Sequence, residues 1–135
     1  MRILVLSFLC AASLTVVAQS ENKEVITRIA FGSCNNQDKP QDIWYKIAAQ
    51  QPQLFIFLGD NIYGDTRNME VLQDKYNQLA AKPGYIELQK KTPVIATWDD
   101  HDYGINDGGK EYPFKEESKK IFLKFFHEPD SSERW

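Results

Sequence analysis

Three short apolar runs each end on residues able to hold a metal ion, and that pattern leaves few folds open. Arg28 to Cys34 reads RIAFGSC, Leu54 to Tyr63 reads LFIFLGDNIY, and Pro93 to Asp102 reads PVIATWDDHD. Short continuous apolar runs bounded by turn residues read as buried parallel strands. In open parallel α/β sheets, ligands collect beyond the carboxyl ends of the strands. Parallel neighbours would therefore bring Cys34, Asp60, Tyr63 and the stretch Asp99 to Asp102 to one edge.

The intervening sequence supplies the crossovers. The first strand is expected from Val25 to about Gly32. Pro40 suits the first turn of a helix reaching about Gln50, whose Ile43, Trp44, Ile47 and Ala48 form an apolar stripe. Pro52 bars more helix, and Gln53 to Leu58 reads as a central strand, apolar on both faces. Strand, helix and strand in this order make a β-α-β unit, and its right-handed crossover sets the strands parallel. Residues 68–81 form a second helix with Met69, Leu72, Tyr76 and Leu79 at helical spacing, closed by Pro83 and Gly84. A weaker helical pattern covers Tyr85 to Lys90, and Pro93 opens the third strand. Asn106-Asp107-Gly108-Gly109 is a turn by composition. Pro113 to His127 forms a final helix, with Phe114, Ile121, Phe122, Phe125 and Phe126 on one face and a solvated charged face opposite. The closing DSSERW shows no clear element. The fold class is α/β.

Residues 1–20 have the form of a secretory signal peptide, with Arg2 before an apolar stretch and small residues near Ala18. Ser7, Ser13, Thr15 and Gln19 interrupt that stretch, which disfavours a membrane anchor. The expected product is exported, periplasmic or extracellular, with one domain over residues 21–135. Without the leader, 15 basic residues face 19 acidic ones, a net charge of −4. A mildly acidic chain has no electrostatic footprint for nucleic acid, and no membrane binding is expected. Loss of Cys10 would leave Cys34 as a free thiol, half of an intermolecular bridge, or a ligand. The oligomeric state is not legible.

The strand-end residues carry the chemistry. A carboxylate directly after a glycine turn projects into a cleft, and Tyr63 lies close enough to serve the same ion as Asp60. WDDHD packs three carboxylates and an imidazole into four residues, Asp99 to Asp102. So much like charge raises pKa values unless a metal or neighbouring cations stabilise the anions. His101 is either a packing histidine or a functional one, and an unperturbed pKa near 6.5 suits it to proton transfer near neutrality. Cys34 is either inert packing or a ligand; thiolate, phenolate and carboxylate together suit trivalent iron better than calcium or magnesium. His127, at the end of a helix, is read as a partner for the helix dipole.

FGSC at 31–34, LGDNIY at 58–63 and TWDDHDYGIND at 97–107 together resemble the alkaline phosphatase D (PhoD-like) family of secreted metallophosphatases. GDNIY is also similar to the G-D-x-x-Y element of the purple acid phosphatases. The resemblance spans about residues 25–135 and implies the N-terminal half of an α-β-β-α sandwich, two mixed sheets flanked by helices. It implies Asp60 as the bridge between two metals and Cys34 and Tyr63 as ligands of Fe(III). Asp100 and Asn106 are implied for a second ion, expected to be Ca(II), with other divalent metals as alternatives. His101 takes the place of the catalytic histidine, with Asp102 orienting its ring. The implied activity is two-metal hydrolysis of phosphate mono- and diesters. The family's C-terminal ligand motifs are not found, so the chain is expected to be an incomplete, weakly active or inactive part of such an enzyme. The rival expectation is a non-catalytic secreted metal-binding module.

Overall fold

Each of the three apolar runs forms a strand. The structure is a computed structural model that describes residues 25–135, so the expected leader at 1–20 lies outside the described residues. The element order is β1 (Ile29–Gly32), α1 (Ile43–Ala49), β2 (Leu54–Leu58), α2 (Met69–Ala80), α3 (Pro83–Gln89), β3 (Val94–Thr97), α4 (Asp100–Tyr103) and α5 (Lys115–Phe125). The strands form one parallel sheet in the order β1-β2-β3. The expected α/β class and the central place of β2 are both observed. Register sets Gly32 level with Phe57 and Leu58 level with Thr97. All three strands therefore end at one edge.

One face of this sheet holds the core. Phe55, Phe57 and Ala96 pack against Trp44 of α1, Leu72, Tyr76 and Leu79 of α2, Tyr85 and Leu88 of α3, and Phe122 and Leu123 of α5. Trp44 meets Phe55 and Phe57 edge-on, with ring centroids 5.4 and 5.6 Å away. Such pairs add about 1 kcal/mol each beyond simple burial.

The opposite face is open. Phe31 is 68% exposed and Ile95 50%, and Ile29 and Leu58 also lie at the surface. Right-handed crossovers that step in one direction along a sheet stack their helices on the same side. Apolarity on both faces of β2 thus marks its central place, while only one of its faces is covered among the described residues.

Some boundaries differ from expectation for local reasons. Pro83 does not close the second helix but opens α3 at its first turn, where a missing N–H costs nothing. α1 starts at Ile43, after Trp44 and Tyr45 donate their N–H groups to Gln41 and Asp42. α5 ends in a Schellman motif, with His127 N–H on Lys124 and Glu128 N–H on Leu123. His127 takes the left-handed position there, φ 54°. The last residues are also ordered: Arg134 pairs with Glu128 at 2.6 Å and donates to the Ala96 carbonyl at 3.0 Å. That guanidinium occupies a backbone acceptor of β3, which has no strand on its far side among the described residues.

Candidate metal centre

The loops that leave the strands are tightly bent and stitched together. Cys34 and Asp60 take left-handed backbone angles, φ 56° and 50°, and Gly59 between β2 and Asp60 has φ 101°. A non-glycine residue there costs about 1 kcal/mol. Gly59 is required twice over, because a Cβ on it would sit 2.8 Å from Cβ of Asp99. Asn35 N–H donates to the Asp60 carbonyl at 2.8 Å, and Asn35 Nδ2 to the Asn61 carbonyl at 2.9 Å. Buried Gln37 accepts from Tyr63 N–H at 2.8 Å and donates to the Tyr63 carbonyl at 3.3 Å. The loops after β1 and β2 are thereby fixed to each other.

The third loop begins with a capping box. Asp99 caps α4 while Asp102, three residues on, accepts from Asp99 N–H at 3.1 Å. Asp102 also accepts from Asn61 N–H, Ile62 N–H, Asn61 Nδ2 and the Tyr76 hydroxyl, at 2.9 to 3.2 Å. It is buried, 1% exposed. This corrects the expectation that Asp102 orients the His101 ring: its acceptor capacity is spent tying α4 to the GDNIY loop and to α2. Burial pushes its carboxyl up to about 7 against the pull of those donors.

A different set of groups stays open to a ligand. Asp60, Asp100 and His101 each offer one ligand atom, all within 4.8 Å of one another. Oδ1 of Asp60 is buried and has no hydrogen-bond partner, a state a bound cation would relieve. The group therefore fits a metal ion. Cys34 Sγ lies 3.6 Å from Oδ2 of Asp60. Tyr63 packs its ring 4.4 Å from that of His101, centroid to centroid. Asn106 is exposed and turns its amide nitrogen to Asp107 at 2.7 Å. The structure thus joins Asp60, Asp100 and His101, brings Cys34 and Tyr63 beside them, and ties the Asn106 amide nitrogen elsewhere.

Burial, hydrogen bonds and charge together set the titration of these groups. Burial raises Asp60, assisted by Asp100 and Asp99 and opposed by His101 and the Cys34 thiol. Asp100 is lowered, first by the Asp107 N–H and also by His101. For His101, burial disfavours the cation, but Asp65, Asp60 and Asp100 outweigh it and raise the imidazole. Burial raises the Tyr63 phenol, and the neighbouring Cys34, Asp60 and Asp65 raise it further.

Sequence reasoning passed over three contributors. Asn61 stands inside GDNIY and Gln37 in a polar loop, and neither the motif nor the loop shows what its side chain holds. Asp65 left one signal, the second Gly-Asp pair in GDNIYGD. No family model, curated protein or solved structure matches this chain.

Proposed function

We propose that this sheet edge is the metal-binding part of an exported phosphoric ester hydrolase of the alkaline phosphatase D type. The observation that carries the reading is the partnerless buried oxygen of Asp60, set beside Asp100 and His101 at the ends of parallel strands. The PhoD-like motifs supply the rest of the assignment. Cys34, Asp60 and Tyr63 would hold Fe(III), and Asp60, Asp100 and Asn106 a second ion, Ca(II). When bound, such ions supply positive charge for the phosphoryl oxygens and a hydroxide near neutral pH. His101, set beside Asp60 and Asp100, would donate a proton to the leaving alkoxide. In the α-β-β-α sandwich of this reading, a second sheet would cover the open face that carries Phe31 and Ile95. The substrates are phosphate mono- or diesters.

A non-catalytic metal-binding module is the second reading. It is favoured by the closeness of three ligand atoms to one another, with His101 as ligand rather than acid. Loading the protein with Fe(III) and Ca(II) separates the two. A visible charge-transfer band lost in Tyr63→Phe supports the hydrolase-type site, and turnover of a chromogenic phosphodiester lost in Asp60→Asn would overturn the expectation that the chain is incomplete. Calcium bound without colour selects the module, and absence of bound metal sinks both.

A further inference from the structure

His101 is held from an unexpected side. Its Nδ1 lies 2.7 Å from Oδ1 of Asp65, a residue 36 positions earlier in the chain. The same oxygen accepts the Asn106 N–H at 3.0 Å. Backbone bonds on both sides of Asp65 dock it against α4: Gly64 N–H donates to the His101 carbonyl at 3.2 Å, and Thr66 N–H to the Gly104 carbonyl at 2.6 Å. Gly64 allows that approach, since a Cβ on it would stand 2.7 Å from the His101 carbonyl oxygen and 2.5 Å from Cδ1 of Leu72. Asp65 adopts φ 45°, a conformation that Asp tolerates better than most residues. The Tyr63 ring against the imidazole limits rotation from another direction.

We propose that Asp65 is the positioning residue of His101, fixing Nδ1 as the protonated nitrogen and leaving Nε2 as the nitrogen that works on a ligand or substrate. A carboxylate only accepts hydrogen bonds. A neutral imidazole facing it must therefore carry its hydrogen on Nδ1, whereas free neutral imidazole favours hydrogen on Nε2. The proton of the phosphoester reaction would pass through Nε2, and that part rests on the hydrolase reading. The bland alternative is a surface ion pair of no consequence: Asp65 is 44% exposed, and such pairs contribute little. The alternative predicts no control over the ring's tautomer.

The test is a long-range proton–nitrogen NMR spectrum of metal-free, nitrogen-15-labelled protein at about pH 9.5, above imidazole titration. His127 is the second of the chain's two histidines, and His127→Asn removes its signals while tolerating its left-handed backbone. The expected result is His101 in the Nδ1–H form, changing to mainly Nε2–H in Asp65→Ala. An Nε2–H form in the otherwise unaltered protein, or an unchanged spectrum in a folded Asp65→Ala, overturns the proposal. Should Asp65→Ala not fold, the unaltered protein's tautomer decides. With metals added, Asp65→Ala is expected to cut kcat about 10- to 100-fold with KM nearly constant. Absence of the Tyr63 charge-transfer band from iron-loaded protein rejects the hydrolase reading and leaves the tautomer result standing.

Discussion

Asp102 and Asp60 stand at the same sheet edge and meet opposite fates. The inner carboxylate collects donors from three backbone amides, an Asn amide and a buried Tyr hydroxyl. The outer one keeps a buried oxygen with no partner on a strained backbone. An unpaired buried acceptor costs about 1–3 kcal/mol, and a fold does not need it. The inner layer builds the edge; the outer layer is left ready for something else.

The comparison breaks most visibly in stability. Asp102→Ala strands five donors in the interior and should destabilise by about 3 kcal/mol or more, read as the shift of a denaturant unfolding curve. A loss below about 1 kcal/mol would remove the distinction between the layers.

The next effect is the pH dependence of the metal-free protein. Asp102 titrates near 7 in the folded chain against 3.8 without the fold. Between those values the folded chain holds a proton that the unfolded chain has released, so stability falls as pH rises from about 4 to about 7. The integrated change from this group is of order 4 kcal/mol. Asp60 is raised too and adds a loss of the same sign above its unfolded value. His101, also raised, keeps its contribution below the unfolded imidazole value and loses it as pH passes the folded one. Asp100 is lowered and acts oppositely, its contribution being lost as pH falls below the ordinary carboxylate range. Unfolding midpoints at pH 4.5, 6 and 7.5 should decline in that order. A rising series would mean that the inner carboxylate is ionised throughout.

The smallest stability effect should come from Asp60→Asn, which removes charge from the outer layer without unpairing a buried donor. Metal-free stability should stay within about 0.5 kcal/mol, while metal affinity by calorimetry should fall at least 10-fold. A large stability loss would show Asp60 to be structural.

Much of this was legible because it depends on pattern. Leu-Phe-Ile-Phe-Leu marked the central strand, Met69, Leu72, Tyr76 and Leu79 at helical spacing marked the second helix, and Cys34, Asp60 and Asp100 follow from where strands end. What failed to show depends on which atom meets which. WDDHD gave three carboxylates without revealing that Asp99 caps, Asp100 faces outward and Asp102 turns inward. A one-turn helix separates those directions by rotation alone. The Asp65 contact with His101 spans 36 residues, and only chain folding reveals it.

The Asp102 clamp has a consequence for how the ligand-bearing loops open. The amides of Asn61, Ile62 and Asp99 point into a buried carboxylate that is shared with Tyr76 of α2. Their exchange with deuterated solvent cannot proceed by local fraying, as it does for an ordinary surface loop, but needs the helix layer itself to part from the sheet. Loops of this length usually belong to the labile end of a protein's opening spectrum. These should exchange with the slowest strands.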